Sequence, residues 1–375
     1  MLKKILLCFC IFLSITINVF AIDTQIESVK EELDINSLIQ TLEEYTDESI
    51  ELENEVDNLF KGQSINYGKI GNFIFNKLFY EIRAGLKTGI TILIIVIIMA
   101  IIQGLELEKD SGISKITSLV GFLLIASIIL KNYVAILKVV LDTVTTLSSI
   151  VQIVAPVMFS MLIATGEITT TGLISPIILF VTGLIGTIVN YVVVPFLTLA
   201  LVFKLINNMS QSIKVEKFSK LFESTAFWTI SVIFALFLGV LELQSSITTS
   251  IDEVTIKTTQ AAVSNLIPVV GKFVSDSLEV VMGASEVIGK AVGVIGILVI
   301  VVVAVVPIIK LGITSFIYFL ISAFSEMLDA DDKITKLLSS MSSQYKVLIG
   351  VMVGVTITFV IGLAVIINLI GKIAT

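Results

Sequence analysis

Residues 255–296 read TIKTTQAAVSNLIPVVGKFVSDSLEVVMGASEVIGKAVGVIG, and the rest of the chain is organised around this stretch. It is too polar to span a bilayer and too apolar for an ordinary loop. Pro268 and Gly271 predict a turn, because proline fixes φ and lacks an N–H while glycine tolerates positive φ. After the turn, spacings of three, four and seven residues place charges of both signs on one helix face. This charged stripe consists of Lys272, Asp276, Glu279, Glu286 and Lys290.

The charged stripe has two interpretations. As a functional feature, it faces water or a partner at or within the outer half of the membrane, because charges are costly against lipid. As a structural feature, it belongs to an interfacial helix whose pairs are simply solvated, each stabilising by about 0.3–0.5 kcal/mol. The sequence leaves both open and makes Pro268, Gly271 and the stripe the candidate functional residues.

The same stretch resembles a known family. The run KTTQAAVSNLIPVVGKFVSDSLEVVMGAS, followed by the glycine-spaced KAVGVIG, is similar to the signature region of the stage III sporulation protein AE family of endospore-forming bacteria. The resemblance extends to the order of parts: a signal peptide, an acidic outer segment and a polytopic membrane region. The resemblance says little about mechanism, since no catalytic chemistry is established for the family.

The resemblance implies a component of a sporulation channel between mother cell and forespore. It places the protein in the mother-cell-derived membrane around the forespore. The implied partners are other stage III sporulation A proteins, including a cytoplasmic ATPase. Stage II sporulation protein Q would complete the complex across the intermembrane space.

Composition independently indicates a helical membrane protein. Of the 375 residues, 56% are hydrophobic and 15% charged, and the mean hydropathy is +1.04. There is no histidine, and the two cysteines, Cys8 and Cys10, lie in a segment expected to be removed. This argues against cysteine or histidine catalysis and against zinc ligation, so we expect neither an enzyme nor a cofactor. A net charge of −7 with no basic face argues against nucleic-acid binding.

The N-terminal part is predicted to lie outside the cytoplasm. Residues 1–21 have the features of a secretory signal peptide, with an uncleaved anchor as the alternative. Residues 22–87 form an acidic segment that contains an amphipathic helix. This helix either docks a partner protein or packs on its own neighbour at residues 65–82. Its apolar seam includes Leu38, Leu42, Tyr45, Leu52 and Val56.

Residues 88–375 are predicted to be an all-α, multi-span membrane domain with about seven transmembrane helices. The expected spans are 88–105, 116–133, 173–206, 225–241, 291–309, 312–328 and 347–370. Pro195 is expected to kink the third span. Two proline-broken segments, at Pro156 and Pro268, are expected to be re-entrant or interfacial. Residues 144–164 are the first of these, because a full span there would move the lysines of 204–220 outside, against the positive-inside rule.

Equal spacing of prolines suggests an internal repeat of 113–206 and 218–310. Pro156 and Pro195 are 39 positions apart, as are Pro268 and Pro307. Such repeats with broken segments build many transporters, so a self-contained secondary transporter or exporter of a small solute is the alternative function. It would need ionisable groups deep in the spans, and the sequence shows almost none. An intramembrane enzyme ranks third, because no base is identified to activate a serine.

Overall fold

The computed structural model describes residues 35–44, 67–104, 112–209, 214–266 and 270–370. At 242–266 and 270–281 it describes the helices but not the side chains. The predicted signal peptide, most of the acidic segment and Pro268 lie outside the described residues. In chain order the elements are α1 (Ile35–Glu43), α2 (Tyr67–Gly104), α3 (Gly112–Ala164), α4 (Ile168–Ile188), a π-helical turn (Val189–Val193), α5 (Val194–Met209), α6 (Glu216–Leu266), α7 (Val270–Met327) and α8 (Asp332–Ile370).

An all-α polytopic membrane protein is confirmed. Six helical stretches of the described chain are long and apolar enough to cross a membrane. They are Gly68–Gly104, Ile116–Ala164, Ile168–Met209, Glu216–Leu241, Met282–Met327 and Asp332–Ile370. The sequence predicted about seven because it divided 291–328 into two spans near Lys310 and Gly312. The structure has one helix there, since neither residue interrupts the backbone hydrogen bonding of α7.

The prediction that Pro156 breaks residues 144–164 away as a re-entrant segment is wrong, because α3 continues through Pro156 to Ala164. A proline in a helix interior costs about 3 kcal/mol, but α3 packs along α7, α8 and α4 over its length, and this burial outweighs the cost. The turn predicted at Pro268 lies outside the described residues, in the sequence between the end of α6 at Leu266 and the start of α7 at Val270. Gly271 lies in the first turn of α7.

The irregularity expected at Pro195 is present as a π-helical turn directly before it, at Val189–Val193. A π-turn moves the hydrogen-bond pattern by one residue and so accommodates the missing proline N–H. The repeat of 113–206 and 218–310 stays a prediction. Pro156 lies within α3, whereas Pro268 falls between two helices.

Three helices are much longer than a bilayer is thick. At 1.5 Å per residue, α3 (53 residues), α6 (51) and α7 (58) are about 80, 77 and 87 Å long. The hydrocarbon core is about 30 Å thick, and tilts rarely exceed about 40°. A large part of each helix therefore extends beyond a single membrane layer.

Helix α7 packs closely between α3 and α8 through glycines, as their spacing predicted. A Cβ atom at Gly289 would lie 2.9 Å from Met161 Cβ of α3 and 2.8 Å from Ile370 Cδ1 of α8. Gly293 and Gly296 make the same kind of approach. Gly183 of α4 makes no such approach, since an added Cβ there would meet nothing within 4 Å.

Three helix connections meet at one end of the bundle, here called the lysine-loop end. Lys204 Nζ of α5 donates to Ser340 O of α8 at 3.0 Å, and Ser118 of α3 donates to Asp331 Oδ2 before α8. The start of α3, the end of α5 with the start of α6, and residues 328–331 between α7 and α8 therefore share this end. The seven-span topology placed the last of them on the opposite side from the lysines of 204–220, so that arrangement is wrong.

Candidate functional site

A buried ion pair lies at the lysine-loop end, where α5, α6 and α8 meet. The Lys204 ammonium contacts the Glu223 carboxylate, and the two side chains are only 10% and 11% exposed. Lys204 Nζ also donates to Ser340 O at 3.0 Å. Removing two charges from water is costly, and pairing with further hydrogen bonds compensates it. The pair therefore holds three helices together at a defined position.

Neighbouring polar groups extend this arrangement across the same helices. Asn208 Nδ2 donates to Ser340 Oγ at 3.2 Å and to Lys204 O at 2.9 Å. Ser219 Oγ donates to Ala200 O at 3.0 Å, which joins α6 to α5. The N–H of Val215 donates to Asn207 Oδ1 at 3.1 Å and anchors the loop itself.

These residues line a cavity of about 420 Å³. Its wall carries Lys204, Lys220, Lys336, Glu216 and Glu223, together with serine and asparagine side chains. Lys220 pairs with Glu216 at 2.7 Å and Lys336 with Asp332 at 3.1 Å, both on the exposed surface. Such exposed pairs contribute little, so these two lysines remain available to water or a ligand. The cavity is polar and close to neutral overall.

A second polar cluster lies deeper in the bundle. Gln344 Nε2 donates to Tyr133 Oη at 3.0 Å and to Leu197 O at 2.9 Å, while Tyr133 Oη donates to Leu197 O at 3.3 Å. Tyr345 packs against this group and stacks on Tyr318, with ring centroids 5.5 Å apart. The cluster joins α3, α5, α7 and α8 in the centre of the bundle.

The two polar regions are continuous along two helices. Gln344 follows Ser340 by one turn of α8, and Leu197 precedes Lys204 by two turns of α5, about 10 Å. Among the described side chains, Gln344 Oε1 and Tyr345 Oη are buried without a hydrogen-bond partner. A polar track thus runs from the cavity into the apolar interior.

This track does not have the geometry of a hydrolytic site. Lys204 Nζ contacts the carbonyl oxygen of Ser340, and Ser340 Oγ donates to Leu337 O at 2.8 Å. A Ser–Lys dyad would instead need the amine to accept the hydroxyl proton. Within the described residues, no group of three or more Asp, Glu, His or Cys side chains could hold a metal ion.

The predicted stripe lies near the other end of the bundle. Glu286 and Lys290 form an ion pair at 2.5 Å on α7, and Glu286 is the less exposed partner. Lys272, Asp276 and Glu279 lie on the same helix, but their side chains are outside the described set. None of these residues lines the cavity. Because Gly289 lies level with Ile370, the last residue of α8, the preceding part of α7 extends about 28 Å further.

The predicted docking helix is described only in part. Leu38 and Leu42 lie on α1, whereas Tyr45, Leu52 and Val56 fall outside the described residues. Leu42 is buried, and α1 contacts α3. Within the described residues, α1 therefore packs against α3, which is not the neighbour considered from the sequence.

Sequence reasoning missed Lys204, Glu223 and Gln344 as a site. Lys204 was counted as one of four lysines in a cytoplasmic loop, and Glu223 lies just before a predicted span. A usable signal existed, because Lys204 interrupts an apolar run at its end and Glu223 lies close to an apolar segment in sequence. Pairing across helices is a tertiary feature that spacing does not show.

Six apolar helices with polar groups paired in their interior define a polytopic helical membrane protein. The chain belongs to the stage III sporulation protein AE family, whose family model matches residues 50–369. It is also 25% identical over 263 residues to the stage III sporulation protein AE of Bacillus subtilis (strain 168). That alignment covers 70% of this chain and 66% of the relative, just under two thirds of the relative's length. No solved structure matches the chain. A sporulation role and a membrane location follow from the family and the fold.

Proposed function

We propose that the protein is a non-enzymatic membrane component of a channel or secretion complex that links mother cell and forespore. The observation that carries this proposal is the family match over residues 50–369, which includes the whole six-span bundle. The interior polar groups support a structural rather than a catalytic role. Lys204, Glu223 and Gln344 each bond to a neighbouring helix, which suits a rigid scaffold.

The proposed location is the mother-cell-derived membrane around the forespore, with the N-terminal segment outside the mother-cell cytoplasm. The proposed partners are other stage III sporulation A proteins, among them a cytoplasmic ATPase, and stage II sporulation protein Q across the intermembrane space. The α6–α7 hairpin suits contact with such partners, because α7 begins about 28 Å before the level at which α8 ends.

One observation favours a second function, a self-contained transporter of a small solute. The Lys204–Glu223 pair is an ionisable group within the bundle, beside a cavity of about 420 Å³. Buried ionisable residues in membrane proteins commonly mark a solute or ion pathway. The two functions differ in what accompanies the protein in the cell.

Affinity isolation of the tagged protein from sporulating cells tests the proposal. A channel component brings a defined set of sporulation membrane proteins with it in mild detergent, and these are identified by mass spectrometry. The control is an unrelated tagged polytopic protein of the same membrane at the same abundance. Isolation of the protein alone, with its six-span fold intact, would contradict the proposal and favour the transporter.

A further inference from the structure

One side of α3 changes character along the helix. From Ile116 to Leu130 its exposed large side chains are apolar, among them Leu119 and Leu123. From Lys131 onward most exposed positions on one face are polar, and Val134, Pro156 and Ile163 are the apolar residues among them. The polar positions, here called the polar face, are Lys131, Lys138, Asp142, Thr145, Gln152 and Ser160. At 100° per residue they fall within about a quarter turn of one another.

The neighbouring helix α4 continues the polar face. The chain reverses at Gly166 (φ 92°), and α3 and α4 pack antiparallel where Ser148 Oγ donates to Thr182 O at 3.3 Å. Around the axis of α3, the residues of the polar face lie about a quarter turn from Ser148, the residue that makes this contact. Relative to Thr182, the exposed Thr187 of α4 lies about two fifths of a turn from this contact, and the exposed Asn190 of the π-helical turn lies about a quarter of a turn from it. Both sets of residues are displaced from the contact in the same rotational sense along their own helix. Because the two helices run in opposite directions, the two sets face the same side of the hairpin.

Two prolines add backbone polarity to this side. Pro156 and Pro176 are exposed on α3 and α4 and have no N–H. The carbonyl groups of Gln152 and Gly172, four residues earlier, therefore lack their usual helical donor. Both carbonyls lie on the side of the hairpin that carries the polar face. In lipid, a backbone group without a donor costs several kcal/mol, whereas water supplies the donor.

The composition of the polar face excludes lipid as its neighbour. Thr145 and Thr187 could tolerate lipid, because each hydroxyl donates to the carbonyl four residues earlier, at 3.0 Å in both cases. The Asp142 carboxylate and the Gln152 and Asn190 amides are exposed and too polar for that environment. From Lys131 to Ser160 the face is about 44 Å long, more than the thickness of a bilayer core. Water is the neighbour that fits.

Other exposed surfaces at the same height along the helix bundle are apolar. This argues that bulk water does not surround this part of the protein on every side. On the far edge of α4, Phe180 is 66% and Tyr191 is 74% exposed. On α7, Val287 and Val301 are exposed on the part that packs beside Met158 and Met161 of α3. These apolar groups suit contact with lipid or with a neighbouring copy rather than with water. A closed ring of copies covers them and turns every polar face inward.

We propose that the polar face of α3 and α4 lines a water-filled passage enclosed by several copies of this chain. The role of this passage in a channel complex rests on the proposed function. Most of its groups are neutral hydrogen-bonding side chains, with Lys131, Lys138 and Asp142 as the charges. The passage therefore suits small hydrophilic solutes without strong selection by charge.

Single-cysteine labelling of the full complex in native membranes tests the passage. Cys8 and Cys10 are the only cysteines, so Cys8→Ser with Cys10→Ser gives the background. Thr145→Cys and Thr187→Cys place a thiol on the polar face. The matched controls are Thr143→Cys and Thr182→Cys, at buried threonines of the same helices. Phe180→Cys reports on the exposed apolar edge.

The expected result is complete modification of Thr145→Cys and Thr187→Cys by a small charged methanethiosulfonate. The buried controls and Phe180→Cys stay unmodified until the membranes are dissolved in denaturing detergent. A maleimide on a large polymer should leave all sites unmodified, because it cannot enter a passage. Reaction of the two test sites with the large reagent would show an open surface and overturn the passage. Failure of the small reagent at both sites would also overturn it.

These outcomes are independent of the isolation experiment. If labelling fails while the partner set still copurifies, the passage is wrong and the proposed complex stands. If labelling succeeds while the protein isolates alone, the passage stands and the proposed complex is wrong.

Discussion

The Lys204–Glu223 pair shows how a single contact can fix the packing of three helices. Lys204 comes from α5 and Glu223 from α6, and Lys204 also bonds Ser340 O of α8. Each charge is buried, so its partner is what makes its burial tolerable. Removing one residue of the pair leaves the other charge without compensation.

We expect Lys204→Met or Glu223→Gln alone to destabilise the bundle by about 3–5 kcal/mol. The double variant should recover much of this loss, because no isolated charge remains. Thermal unfolding of the purified protein in detergent measures the effect. Lys336→Met is the control, since its pair with Asp332 is exposed and should matter little. A double variant less stable than both single variants would contradict the argument.

At the scale of elements, the approach of α7 to its neighbours depends on the absence of side chains. At Gly289 an added Cβ would lie 2.9 Å from Met161 Cβ, which is close to the α3 backbone and cannot move away easily. Gly289→Val should therefore destabilise the packing of α7 by about 1–3 kcal/mol. Gly283→Val on the same helix meets nothing within 4 Å and is the matched control. Equal unfolding temperatures for the two variants would show that α7 does not depend on this contact.

The charged stripe is tested by removing charge without changing shape. A functional stripe predicts that Asp276→Asn with Glu279→Gln yields an inserted, stable protein that cannot support spore formation. A solvated stripe predicts normal spore counts, because each pair contributes only about 0.3–0.5 kcal/mol. Heat-resistant spore counts and membrane protein levels give the two measurements. Gly289→Val shows what a merely structural defect looks like in the same assay.

Local patterns predicted the elements well and their continuity poorly. Apolar runs predicted the membrane helices, and glycine spacing predicted the close face of α7, because both depend on residues near in sequence. The passage of α3 through Pro156 depends on packing against other helices, which outweighs a local penalty. The cavity and the Lys204–Glu223 pair join separate helices, so no spacing rule could find them. The polar face was missed because part of it was assigned to a separate segment.

For the whole molecule, six spans change the side on which the chain ends. The lysines around 204–220 favour the cytoplasm for the lysine-loop end. Because Lys204 contacts Ser340 O and Ser118 contacts Asp331, the connection before α8 lies on the same side. Helix α8 then crosses outward, so its last residue, Ile370, lies on the opposite side from the one the seven-span topology gave.

Cysteines placed in a background without Cys8 and Cys10 decide between the two topologies. Ser212→Cys lies in the lysine loop, Asp332→Cys starts α8, and Thr375→Cys marks the carboxyl end. With six spans and the protein expressed in vegetative cells, where its outer side faces the medium, a membrane-impermeant maleimide applied to intact cells labels only Thr375→Cys. Permeabilised cells supply the control, because all three sites then react. Labelling of Asp332→Cys but not Thr375→Cys in intact cells would restore the seven-span order. It would also require α7 to cross the membrane twice, which a single continuous helix from Val270 to Met327 does not permit.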